Sequence, residues 1–249
     1  MRPAVIALGL LLVWPLAAFG GVYWWGAAAT AAGAAALAIA IRPAVARSAE
    51  TRTLDLALAA ALAATLLQAI PLPSAFVTRV SPGAAAMGEA LRLRVPGAPP
   101  PAFTTLSIDP AATWQALLVA ATAVVVFWSA RALFRTGGLR ATARTTAIAG
   151  ALAAATGILL AAAGTREVYG FWTPRDPGAR PFGPFVDRNH FATWMAMAVP
   201  FVCGYLLARI PPRRPADPRP WRARMADVVD GRMIWLLGST AVMIAALVA

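Results

Sequence analysis

Hydrophobic residues occur along this chain in long unbroken runs. The first, Ala4 to Ile41, contains no charged residue. As one helix it would extend roughly 57 Å at about 1.5 Å per residue, nearly twice a hydrocarbon core of about 30 Å. The run is therefore expected to fold back. Gly20-Gly21 is the natural turn, and the neighbouring Tyr23-Trp24-Trp25 reads as an interfacial aromatic belt. A competing reading takes Arg2 and the apolar residues after it as a signal peptide ending near Gly20.

Further apolar runs lie at Leu54–Ile70, Trp114–Phe134, Thr145–Gly164, His190–Ala208 and Met233–Ala249. With the first run folded into two, this gives about seven segments of about 17–21 residues, the length that crosses a bilayer as a helix. Hydrocarbon offers the backbone no hydrogen-bond partner, so the spans must be helical. The expected fold is all-α: a polytopic transmembrane helical bundle of about seven spans. Residues 1–249 read as a single transmembrane domain. The last apolar run reaches Ala249 with no polar flank, so the chain is expected to be the N-terminal part of a longer protein.

Charge orients the bundle. With the N-terminus cytoplasmic, the inside segments hold 15 arginines and the outside loops seven. This asymmetry obeys the positive-inside rule and puts Pro71–Thr113 and Thr165–Asn189 outside. The linker Arg209–Arg232 contains five prolines and seven arginines. It is expected to be non-helical and to lie against anionic headgroups.

Composition agrees with a membrane protein. The chain is 60% hydrophobic and 13% charged, against about 25% charged in soluble domains. The net charge of +12 is accounted for by cytoplasmic loops, so no nucleic-acid partner is expected. The single cysteine, Cys203, excludes an intrachain disulfide, and no Cys/His spacing suits zinc. Neither a metal nor a cofactor is expected. Phosphate-binding glycine loops, Gly-x-Ser-x-Gly and His-Glu-x-x-His are all absent from the sequence.

The polar residues with most chemical potential lie in Arg180-Pro-Phe-Gly-Pro-Phe-Val-Asp-Arg-Asn-His-Phe-Ala192, which runs into an apolar helix. Ionisable groups at a membrane edge are costly and are functional candidates by default. Arg180 and Arg188 could hold a phosphate, since a guanidinium stays charged and binds phosphate oxygens bidentately. Arg166 and Arg175 are secondary candidates. Asp187 and Asn189 suit a helix N-cap, and Gly183-Pro184 suits a turn near the headgroups. His190 is the only histidine and the weak candidate for a general base, because a helix start disfavours its protonated form. Asp109 and Thr113 are expected to cap the helix that follows them, and Pro200 to kink the helix that contains it.

Three stretches together resemble the O-antigen ligase and polymerase superfamily of bacterial envelope proteins. They are Leu66-Leu-Gln-Ala-Ile-Pro-Leu-Pro73 with Ser81-Pro82, Leu106-Ser-Ile-Asp-Pro-Ala-Ala-Thr-Trp-Gln-Ala-Leu-Leu118, and Phe182-Gly-Pro-Phe-Val-Asp-Arg-Asn-His-Phe-Ala192. The resemblance covers about Leu54 to Ala208. It departs at Asp187, where family members often carry Asn, and at the missing later loop that bears the family's implicated histidine. The resemblance implies a bacterial inner-membrane enzyme. Its partners would be an undecaprenyl-pyrophosphate-linked glycan, a glycan, lipid or protein acceptor, and membrane lipids. Glycan would pass to an acceptor hydroxyl at the outer face. On this reading Arg180 and Arg188 bind the pyrophosphate, and Gly183, Asp187 and Asn189 support them. The rival readings are a transporter or flippase of lipid-linked glycans and a non-catalytic membrane partner. A transporter should carry charge near the bilayer midplane, whereas the predicted helix interiors here are nearly free of it.

Overall fold

A computed structural model describes residues 2–91, 99, 101–165, 167–176, 178–209, 220, 222 and 230–248. Arg92, Arg94, Arg166, Ala249 and most of the Arg209–Arg232 linker lie outside the described residues. The described chain forms two compact units, Met1–Ile41 with Ser129–Ala249, and Arg42–Trp128.

The first unit holds α1 (Arg2–Ala17), a 3-10 turn (Phe19–Gly21) and α2 (Trp24–Ile41). The long first run thus folds back where expected: Gly20 and Gly21 have φ of 72° and 75°, open to glycine at no steric cost. Trp14 Nε1 donates to the Gly26 carbonyl at 3.1 Å across this turn. The unit also holds α7 (Leu139–Ala162), α8 (Arg188–Ala208) and α9 (Gly231–Val248). Helices α7, α8 and α9 pack on one another, and α1 packs on both α2 and α7.

Helix α7 shows what holds this unit together. Its buried positions are all small: Thr142, Ala143, Thr146, Ala147, Ala149, Gly150, Ala153, Ala154 and Gly157. Its large side chains face out, with Leu152 63% and Leu159 69% exposed. A water-soluble helix would bury the leucines. In lipid, outward leucines cost nothing, and small residues let helix backbones approach closely. Met243 and Trp194 close over Gly150, and the Phe182 ring lies over Gly157, leaving no room for a Cβ at either glycine.

The second unit contains α3 (Ala49–Ala69), β1 (Leu72–Pro73), α4 (Ser74–Val80), α5 (Pro82–Leu91), β2 (Phe103–Thr104) and most of α6 (Pro110–Arg135). Strands β1 and β2 pair antiparallel, Leu72 opposite Thr104. The short helices α4 and α5 fall in the segment expected to be an outside loop. Pro110 starts α6 at the position where its missing N–H does no harm. Asp109 Oδ1 accepts from Ala112 N at 2.9 Å, capping the helix as expected.

Each of the seven expected segments contains a helix among the described residues. Among the described residues five helices are long and apolar enough to cross a membrane: α2, α3, α6, α7 and α8. The apolar stretches Pro3–Ala17 and Met233–Val248 are shorter. The chain is a helical membrane protein. Pro200 lies inside α8, which continues through it from Arg188 to Ala208.

One finding departs from the sequence reading. Asp55 lies within α3 and is 1% exposed. Its Oδ2 accepts from Ala46 N at 2.8 Å and its Oδ1 from Trp128 Nε1 at 2.9 Å. Asp55 is the second residue of the run Leu54–Ile70, and the helix turns it to the buried face, where two donors hold it. The donors come from nine and 73 residues away, and the latter separation is invisible to any local pattern.

Candidate functional site

The loop between α7 and α8 is built from two small hairpins. In the first, Val168 pairs with Trp172, and both Tyr169 and Gly170 have positive φ, 57° and 78°. The phenol of Tyr169 donates to the Leu16 carbonyl at 2.8 Å, and Trp172 Nε1 donates to the Tyr23 hydroxyl at 3.1 Å. These bonds tie the loop to the end of α1 and the start of α2. Phe19, Tyr23, Trp24, Trp25, Trp172 and Arg175 line a cleft of about 420 Å³ there. Two residues of the expected aromatic belt, Tyr23 and Trp25, join a packed cluster in which Phe19 lies against Tyr23, Tyr169 and Trp172 at 5.3–5.6 Å between centroids, while Trp24 is exposed.

Burial raises the pKa of Tyr169 above the ordinary phenol range. The folded state therefore holds the phenol proton to higher pH than the unfolded chain does. Stability from this group is intact below the unfolded pKa of about 10 and falls as pH rises beyond it, because the unfolded state then binds fewer protons. Tyr169→Phe should lower stability by about 1 kcal/mol and flatten the alkaline limb of a melting profile taken above pH 9.5 or so. An unchanged alkaline limb would show that the Tyr169 phenol does not govern it.

The second hairpin carries the candidate residues. Phe182 and Phe185 exchange both backbone bonds, at 3.0 and 3.2 Å. Gly183 has a φ of 60°, and proline at the next position cannot take a positive φ, which is the type II′ arrangement. Gly183 is pressed against α7: a Cβ there would lie 2.7 Å from the Ala153 carbonyl oxygen. Phe182 and Phe185 turn inward with Phe191, at 4.6 and 5.8 Å between centroids. All three are buried. The Phe185 ring also abuts Gly20, where a Cβ would meet it at 2.6 Å. The apolar half of the motif is therefore an anchor, which fixes the polar half at the surface.

At the neck of this hairpin Arg188 N donates to the Arg180 carbonyl at 2.9 Å. The structure thus brings the two arginines together, and both side chains are exposed. The Arg188 guanidinium lies over the Phe182 ring, 5.2 Å from its centroid, within cation–π range. Asp187 is the cap of α8, its Oδ1 accepting from Asn189 N at 2.6 Å. Phe191 N bonds the Asp187 carbonyl at 3.3 Å. Three of the first four N–H groups of α8 are thus satisfied within the chain. Any anion here would be met by guanidinium groups more than by a bare helix end. Asn189 and His190 are exposed, and the Asn189 carbonyl accepts from the Thr193 hydroxyl at 2.8 Å.

The other two stretches singled out in the sequence meet in the second unit. Ser107 N donates to the Gln68 carbonyl at 2.9 Å, and the Ser107 and Thr113 hydroxyls lie 2.6 Å apart. Together they line a groove of about 590 Å³ that includes Thr65, Gln68, Ser107, Asp109 and Thr113. Among the described residues, no group of three or more His, Cys, Asp or Glu side chains is placed to hold a metal ion.

No known family model, curated protein or solved structure matches this chain.

Proposed function

We propose that this protein transfers a glycan from an undecaprenyl-pyrophosphate carrier to an acceptor hydroxyl at the outer face of a bacterial inner membrane, in the manner of O-antigen ligases and polymerases. The observation that carries the reading is the pairing of Arg180 and Arg188 at one hairpin neck, beside the start of an apolar helix. A pyrophosphate at this neck would be within reach of two guanidinium groups, which bind phosphate oxygens bidentately. The resemblance of the three sequence stretches gives the reading its chemistry. In the transfer, the acceptor oxygen bonds the anomeric carbon while the bond from that carbon to the pyrophosphate oxygen breaks. The hydroxyl proton passes to a base, for which His190 is the one imidazole in the chain. The leaving pyrophosphate gains negative charge, and fixed guanidinium groups stabilise it most at that point.

The topology belonging to this reading has seven spans with the N-terminus inside. It puts the arginine-rich ends of α7 and α8 in the cytoplasm and the aromatic cluster and paired arginines outside. The transporter reading draws on Asp55, a buried carboxylate in an apolar helix. That side chain is held by a backbone N–H and an indole, and it lies about 9 Å from the helix start at about 1.5 Å per residue, short of a midplane position.

The test is binding of undecaprenyl pyrophosphate, against undecaprenol as the uncharged control, to the purified chain by native mass spectrometry. Arg180→Ala and Arg188→Ala should each weaken pyrophosphate-lipid binding about 10-fold or more, as expected for a charge-assisted bond, and leave undecaprenol unchanged. Equal binding of both lipids by the wild-type chain would overturn the role of the arginines. Glycan transfer in membranes carrying lipid-linked glycan should fall in parallel.

A further inference from the structure

A second basic site lies at the far end of α8 from Arg188. Arg140 and Arg144 from the start of α7, Tyr205 and Arg209 from the end of α8, and Gly231, Trp235 and Leu236 from the start of α9 line one pocket of about 320 Å³. Three helix ends converge there, and each helix is apolar beyond it. The pocket therefore sits at the level where apolar helix gives way to polar chain.

Positive charge is concentrated here, and at Arg140 and Arg144 it meets no carboxylate among the described residues. Arg140 and Arg144 are spaced i, i+4, so they are neighbours of like charge on one helix face. They occupy the first turns of α7, where the helix dipole already presents positive charge. That end has no acidic residue in its first turn and no side-chain cap, its N-cap being Gly138. Arg209 adds a third cation. Asp230 meets it at 3.2 Å and also caps α9 through Met233 N at 2.8 Å.

We propose that this pocket binds the phosphate of an anionic phospholipid headgroup. A phosphodiester at this depth would accept from the Arg140, Arg144 and Arg209 guanidiniums and offset the repulsion among them. Trp235 and Tyr205 are the side chains suited to the boundary between acyl chain and headgroup. Basic pockets between membrane helices are an established means of holding acidic lipids. The role is separate from the Arg180–Arg188 site and does not depend on glycan transfer.

The probes are phosphatidylglycerol, phosphatidylcholine and inorganic phosphate, offered to the purified full chain and read by native mass spectrometry. The wild-type chain should retain one phosphatidylglycerol under activation that strips phosphatidylcholine, and millimolar inorganic phosphate should not displace it. Arg140→Gln with Arg144→Gln should weaken retention by about 30-fold, the loss of two surface arginine contacts. Arg79→Gln, on a helix of the other unit, should change nothing. Circular dichroism and gel filtration identify any variant that has not folded, and Arg209→Gln then supplies a second test at the same pocket. Equal retention of the two lipids, or undiminished phosphatidylglycerol binding in the folded Gln variants, would overturn the proposal. Displacement by inorganic phosphate would overturn the lipid as its source in favour of a soluble anion.

Discussion

Gly183→Ala is expected to destabilise the protein by about 2–5 kcal/mol, combining left-handed backbone strain with overpacking. Two separate penalties act at this position. Its φ of 60° is open to glycine and strained for alanine. The new methyl would also lie 2.7 Å from the Ala153 carbonyl oxygen and 3.3 Å from Gly157 Cα. Both neighbours are backbone atoms of α7, so neither can swing aside as a side chain would. Relief requires the hairpin to lift off the helix. That movement would withdraw Phe182 and Phe185 from the core and loosen the neck where Arg180 and Arg188 meet. Gly164→Ala separates the two penalties: its φ is 68°, but nothing lies within 4 Å of the place its methyl would take. It should cost only the backbone term, about 1–2 kcal/mol. Thermal unfolding of the detergent-solubilised variants measures both. Equal losses for the two would show that the hairpin is not seated against α7.

Asp55→Ala should cost about 2–4 kcal/mol, since it strands two partly buried donors, each worth about 1–3 kcal/mol when left unpaired. One is Trp128 Nε1. The other is Ala46 N, and Ala46 has a φ of 54°, unusual for a residue with a side chain. The carboxylate thus holds a strained bend before α3 as well as joining α3 to α6. Asp55→Asn keeps the shape but turns one acceptor into a donor, so it should lose one of the two bonds and fall between alanine and wild type. In the alanine background, Trp128→Phe should add less than it does in wild type, because its partner is already gone. Urea unfolding followed through tryptophan fluorescence measures the series. Additive losses would show that Asp55 and Trp128 act independently.

The apolar runs foretold every major helix because membrane helices need only length and the absence of charge. The turn at Gly20-Gly21 was equally legible: a run too long for one crossing has to break, and adjacent glycines mark the place. Asp187 as a cap followed from its position immediately before an apolar run. What the residues could not convey was which face of each helix is buried. In α7 the buried face is alanine, glycine and threonine, and the leucines face out, so hydrophobicity carries little information about the core. The β1–β2 pairing and the helices α4 and α5 were likewise hidden in a segment with no periodic pattern.

By itself the sequence determined that this is a helical membrane protein, where its helices lie, and that its polar residues gather in the connections. Those properties depend on single segments, since transfer into lipid acts residue by residue. The tertiary structure decided which connections come together. It seated the Phe182–Phe185 hairpin against Gly157 and so paired Arg180 with Arg188. It buried Asp55 beneath Trp128, 73 residues away, and it gathered Arg140, Arg144 and Arg209 from two helix ends into one pocket. Each of these depends on close backbone approach at glycine and alanine. That approach is a property of two packed surfaces, which neither segment encodes alone.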